Sequence, residues 1–229
     1  MIRNVISAGF FLLIVTTVYA QDALQWRGPN RDGIFPGQGL LHIWPETGPT
    51  LLWHYDDLGP GHASSAIYGD RIYTTGVINN IGHIFSFTMD GKLRWKLPYG
   101  EEWMESWPGV RSTPQFSDGK LYMLSGYGKL FCRKADDGAF VWSIDVIAEY
   151  GGVNLKWGYT ENLIIDGDKV FFTVGGPVHN VIAVNKHTGK LIWSCKGKGE
   201  ISAYGSPALH TLLGRKVLVN QTASPIGSA

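Results

Sequence analysis

Chemistry in this chain has few places to come from. Glu161 and Asn162 are adjacent and offer hard oxygen ligands of the kind calcium takes. On a strand, neighbouring side chains leave opposite faces, so the two would not share one ion. The plainer reading is a channel carboxylate beside an amide that bonds the backbone. Arg111 can clamp a carboxylate or phosphate, or pair with a nearby acid. The stretch Glu101-Glu102-Trp103-Met104-Glu105-Ser106-Trp107-Pro108 sets two aromatics among three acids. Trp103 and Trp107 suit a sugar-stacking or peptide-binding lip, or a lid packed over a core.

Other chemistries lack their spacing. The 7 histidines show no His-x-x-x-His or similar metal pattern. Neither a Gly-x-Ser-x-Gly elbow nor a Gly-x-x-x-x-Gly-Lys phosphate loop occurs. Asp166-Gly167-Asp168 lacks the further ligands of an EF-hand-type loop and reads as a β-turn. Cys132 and Cys195 are the only cysteines. They fall at positions that do not correspond, which favours two isolated thiols over a disulfide. A net charge of +1 without a basic patch argues against nucleic acid or anionic membrane as partner. No catalytic residue and no metal ligand set is assigned.

The elements that must position these residues are short strands. Thirty Gly, 11 Pro and many aromatics point to an all-β chain dense in turns. Trp53, Trp95, Trp142 and Trp193 recur at spacings of 42, 47 and 51. Repeats of about 40 to 50 residues with four strands each mark a β-propeller. First strands are expected at 64–67, 113–116, 162–165 and 206–209, each followed by a Gly- or Asp-containing turn and a second strand. A second hairpin turns at Asp90-Gly91, Asp137-Gly138 and Thr188-Gly189, and Trp follows each turn glycine by four residues. These Trp rings are expected to dock one blade on the next, with each indole N–H needing an acceptor. Thr50-Leu51-Leu52-Trp53 reads as an orphan fourth strand.

Laid over one another, the repeats bring three layers to the inner strands. His62, Arg111 and Thr160 lead, then Ala63, Ser112 and Glu161, then Ser64, Thr113 and Asn162. Three complete repeats plus partial ones are too few to close a ring. The expectation is an N-terminal portion of a propeller of about seven or eight antiparallel four-stranded blades.

Residues 1–20 differ from the rest. Arg3 precedes an apolar run from Val5 to Val18, and Val18-Tyr19-Ala20 fits a cleavage site. A signal peptide cut after Ala20 implies a periplasmic or secreted protein with no transmembrane segment after cleavage. Residues 21–49, with the turn-rich Trp26-Arg27-Gly28-Pro29-Asn30-Arg31-Asp32-Gly33, read as a lead-in loop covering one face. Residues 50–229 carry the repeats.

The hairpin from Ala183 to Trp193 resembles the repeat of pyrroloquinoline-quinone (PQQ) propellers, Ala-x-Asp-x-x-Thr-Gly-Lys-x-x-Trp, with Asn185 where Asp is usual. Residues 87–95 are a shortened copy, and 132–142 a degenerate one. Trp157-Gly158-Tyr159-Thr160-Glu161-Asn162 also looks like a segment these proteins carry. Two kinds of protein share the repeat. Quinoprotein alcohol and glucose dehydrogenases hold PQQ and usually Ca²⁺; scaffolds such as the outer-membrane assembly factor of the barrel-assembly machinery bind partner proteins without a cofactor. The resemblance implies the fold, not the activity. Many such dehydrogenases flank PQQ with a disulfide of adjacent cysteines, which this sequence lacks. A scaffold that binds protein or glycan at the channel mouth is therefore favoured, with no firm cofactor. Part of a PQQ- and calcium-dependent oxidoreductase is the alternative.

Overall fold

The computed structural model describes residues 26–223, except 29, 36 and 38. The expected signal peptide and its cut after Ala20 lie outside the described residues.

Three blades follow one another, each a meander whose chain order is its spatial order. The first comprises β1 (Ala66–Tyr68), β2 (Arg71–Ile78), β3 (Ile81–Thr88) and β4 (Leu93–Glu101). The second comprises β5 (Gln115–Ser117), β6 (Lys120–Leu124), β7 (Lys129–Lys134) and β8 (Phe140–Asp145). A one-turn helix, α1 (Val146–Tyr150), leads on; Asp145 caps it by accepting from the backbone of Ile147 and Ala148. The third blade comprises β9 (Ile164–Asp166), β10 (Lys169–Thr173), β11 (Val181–Asn185) and β12 (Leu191–Cys195). Beyond it, β13 (Ile201–Ser202) pairs with β16 (Thr222–Ala223), and β14 (Ala208–Leu212) with β15 (Arg215–Val219). The pairing within all three blades is antiparallel, as expected of four-stranded propeller units.

Period-two alternation divides the core. On β6, Leu121 and Met123 face the first blade, in a cluster with Tyr73, Ile84 and Phe116. Tyr122 and Leu124 face the third, in a cluster with Val170, Phe172 and Ile182. Both faces of the second blade are thus buried, so β6 reads as a nearly continuous apolar run.

The blades interlock through Trp and the next blade's turn. Trp53 Nε1 donates to Met89 O at 3.1 Å, Trp95 Nε1 to Asp136 O at 2.9 Å, and Trp142 Nε1 to Lys186 O at 2.9 Å. The turn glycine is what admits the ring. A Cβ on Gly189, which has φ +73°, would lie 3.0 Å from Trp142. Asn185 supplies the acceptor that Asp would: its Oδ1 takes the N–H of His187 at 2.9 Å and of Thr188 at 3.1 Å. Trp193 differs. It is 47% exposed, and no described turn receives it.

Two expectations need correction, and a third gains detail. Residues 50–53 form no strand, because no described strand lies beside them to share hydrogen bonds. Trp53 instead stacks on Phe87, with Tyr55 edge-on to the same ring. The first strands begin two residues later than expected, at 66, 115, 164 and 208. The residues before them bond sideways to the next blade. The lead-in is not only a surface cover: Trp26, Arg27, Gly33 and Phe35 line a pocket with Ser64, Ser65 and Thr113, just ahead of the inner strands.

Candidate functional site

The sideways bonds define the inner rim. Ser64 N donates to Thr113 Oγ1 at 3.1 Å, Thr113 N to Asn162 Oδ1 at 2.7 Å, and Asn162 N to Ser206 Oγ at 2.9 Å. The partners lie 49, 49 and 44 residues apart, one repeat each. Each side-chain oxygen thus satisfies the backbone N–H of the corresponding residue one blade back. Asn162 here is the backbone-bonding amide of the plainer reading. It is buried, and its Oδ1 is taken by the backbone.

Glu161 also serves the backbone. It is 2% exposed, and both its oxygens accept from Thr173 N at 3.2 Å. Burial pushes its pKa up to about 8, against the hydrogen bonds from Thr173 and the charge of Arg31. Arg31, on the lead-in, donates to Leu163 O, and burial lowers its pKa to about 10. The lead-in is thereby tied to the third blade beside Glu161.

The layer ahead of the girdle is open. His62, Arg111 and Thr160 line one cleft of about 490 Å³ with Trp107, Trp157 and Tyr204. Trp157 and Tyr204 form one wall, ring centroids 5.2 Å apart and planes tilted by 36°. Thr160 Oγ1 donates to Tyr204 O at 3.1 Å, and Trp157 N to Tyr204 Oη at 3.2 Å. Tyr204 precedes Ser206 by two residues, as Thr160 precedes Asn162. Extending the register by one repeat would have found it. Trp157 was visible in the sequence as the start of the Trp157–Asn162 segment, but nothing there put it beside Arg111.

Arg111 forms no salt bridge among the described residues, although the charge of Glu102 acts on it. Its guanidinium donates to Gly109 O at 2.9 Å, Ser106 O at 2.6 Å and Trp107 O at 2.7 Å. These bonds fold the acidic connector over the inner strands. They also hold Trp107 in the left-handed region at φ +49°, with its ring 74% exposed. Trp103 takes the lid position instead. It is buried beneath Arg111, whose guanidinium lies 5.9 Å from its ring centre, and its Nε1 donates to Ser106 O. Glu102 anchors the same loop: Tyr99 Oη at 2.6 Å, Trp103 N at 2.8 Å and Gly126 N at 2.6 Å all donate to it. Burial raises its pKa, opposed by those bonds.

The structure therefore brings Arg111 and Trp107 together, puts Trp103 below them, and turns Glu161 and Asn162 inward. Calcium does not fit this donor set. The two oxygen donors nearest the layer already serve backbone N–H groups, and no cluster of three or more His, Cys, Asp or Glu occurs among the described residues. Cys132 and Cys195 are free thiols; burial pushes Cys132 up to about 12. No described helix is long and apolar enough to cross a membrane.

Known proteins resemble this chain in part. A quinoprotein ethanol dehydrogenase of Pseudomonas aeruginosa is 30% identical over 139 residues, covering 57% of this chain and 20% of that protein. One of Pseudomonas putida is 29% identical over 123 residues, covering 50% and 18%. The chain spans about a fifth of the length of these curated relatives. Among solved structures, a europium-containing methanol dehydrogenase has a TM-score of 0.48 at 17% identity, over 63% of this chain and 26% of its own. BamB from Moraxella catarrhalis has 0.39 at 18% identity, over 60% and 36%. A family model described as outer membrane protein assembly factor BamB matches residues 80–227, from the turn between β2 and β3 to past the last described strand. With that match and three four-stranded blades carrying the repeat, the chain belongs to the BamB family of PQQ-like β-propeller repeats.

Proposed function

We propose that the protein is an exported propeller that serves as a binding scaffold, taking a protein or glycan at its channel mouth without chemistry of its own. One observation carries this reading. The cleft at the inner strands is walled by exposed rings and a cation, while the nearby carboxylates of Glu102 and Glu161 turn away to bind backbone N–H groups. Exposed aromatics around a concave site favour recognition. Of the groups that general acid–base work uses, the cleft's lining offers His62 and the Tyr204 phenol and no carboxylate. Arg111 and Trp107 are the proposed contact residues, with Trp103 supporting them. The reading places the protein in the periplasm or outside the cell, after a signal peptide cut behind Ala20.

A second reading rests on the curated relatives, which are quinoprotein ethanol dehydrogenases. It makes this chain part of a PQQ- and calcium-dependent oxidoreductase. The test is to titrate the full-length protein with PQQ in the presence of Ca²⁺ and to follow dye reduction with ethanol or glucose. The scaffold reading expects no turnover and no saturable PQQ binding. Alcohol- or sugar-dependent dye reduction overturns it.

A further inference from the structure

We propose that the cleft between Arg111 and the rings of Trp107, Trp157 and Tyr204 binds an acidic glycan, a chain of sugars bearing carboxylates. The inference rests on the channel-mouth reading above and names the ligand of that site.

Charge comes first. The titratable side chains that line the cleft are His62, Arg111 and Tyr204. Lys156 adds a cation at the rim, its Nζ 5.5 Å from the centre of the Trp157 ring. One acid of the neighbouring connector, Glu102, acts on Arg111 through its charge, but it is buried, accepts three hydrogen bonds and does not line the cleft. Glu101 and Glu105 act on Tyr127, which lines a different pocket. Arg111 spends three N–H groups on carbonyl oxygens. Two of the five guanidinium N–H groups are left for an anion.

The rings come second. Trp107 is held exposed in a left-handed backbone conformation that non-glycine residues seldom adopt. Strain kept in this way marks sites of function. Trp157 and Tyr204, 43% and 41% exposed, form another wall of the same cleft. Flat faces at the edge of a cleft of about 490 Å³ suit the C–H faces of one or two sugar rings.

The inner edge argues against a peptide. Adding a strand requires unpaired backbone groups along an edge. Ahead of the inner strands the N–H groups of Ser64, Thr113 and Asn162 are capped by side chains of the next blade, and His62 N bonds Val110 O. A peptide would find rings and one arginine, but no ladder.

The test is a tryptophan-fluorescence titration of the full-length protein with three probes: tetragalacturonate, its methyl ester, and oligoglutamate. The expected result is saturable quenching by tetragalacturonate, about tenfold weaker binding of the ester, and affinity that falls with added salt. Trp157→Ala should lower affinity for the acid at least tenfold with an unchanged far-ultraviolet spectrum. Lys156→Gln, on the exposed rim, should reduce the salt dependence while leaving ester binding alone. Equal affinity for acid and ester overturns the acidic-glycan inference and leaves the channel-mouth reading standing. So does binding of oligoglutamate alone. No response to any probe, together with a protein partner whose binding Trp107→Ala and Trp157→Ala leave intact, overturns both.

Discussion

Glu161 shows how far one carboxylate can be taken from solvent when the backbone receives it. Its folded-state pKa of about 8 lies above the ordinary value of 4.5, and burial is the first cause. The folded chain therefore holds a proton there that the unfolded chain has released between about pH 4.5 and 8. The sign follows: stability from this group is full below pH 4.5 and is lost as pH rises towards 8. The groups that face it are Arg31, which favours the charged form, and the Tyr159 phenol, which burial keeps neutral across the window. Between pH 5 and 8 the melting temperature of the wild type should fall more steeply than that of Glu161→Gln. The difference should correspond to on the order of a few kcal/mol over the range. Parallel slopes in the two proteins would assign the titration to another residue. The sequence marked Glu161 and Asn162 as the chain's best oxygen donors, and both are engaged donors' partners in the structure. Residue type could not say who uses the oxygens. That depends on a backbone N–H one blade or one strand away. Arg111 is similar: its charge was legible, but its three carbonyl partners follow from how the connector folds back.

Hairpins were far more legible, because their rules are local. Thr188-Gly189 announced a turn, and Trp193 four residues on announced a strand. The recurrence of that spacing separated the blades. The interlock was legible only as an expectation that indoles dock. Its geometry, each ring on the next blade's turn glycine, needs the three-dimensional stacking. A paired substitution separates turn geometry from docking. Gly119 and Gly189 both have left-handed φ, +70° and +73°. An alanine at either position carries a backbone cost of about 1–2 kcal/mol. At Gly119 nothing lies within 4 Å of the added carbon, whereas at Gly189 the Trp142 ring lies 3.0 Å away. Gly189→Ala should therefore be less stable than Gly119→Ala by about 1–3 kcal/mol in urea unfolding. Equal losses would mean that the ring yields freely and that the interlock contributes little. The two-residue shift of the first strands has the same lesson. Pattern placed Ser64, Thr113, Asn162 and Ser206 on strands, but their neighbours across the inner rim claim them first.

At the scale of the whole molecule, blades stabilise one another pairwise, so their stability should follow how many neighbours each has. The second blade is packed on both faces, with fully buried Leu121, Met123 and Phe131 on one side and Tyr122, Leu124 and Leu130 on the other. The third blade buries Val170, Phe172 and Ile182 against the second. Its last strand, β12, leaves Leu191, Ile192 and Trp193 between 40% and 47% exposed. The equivalent ring on the second blade, Trp142, is 7% exposed and bonded to Lys186 O. Composition and period gave no sign of this inequality, since the three Trp strands look alike in sequence. The ring environment is a property of the neighbour, not of the strand. Amide hydrogen exchange on the 229-residue chain should therefore be slowest in β6 and β7, which open only with both interfaces. Exchange in β12 should be faster, since that strand can fray without disturbing the buried clusters. Trp142→Ala should speed exchange in β8 and in the turn at 186–189 together, because one bond joins them. Protection in β12 equal to that in β7 would show that the blades open as one unit, and nearest-neighbour packing would then not set the order of unfolding.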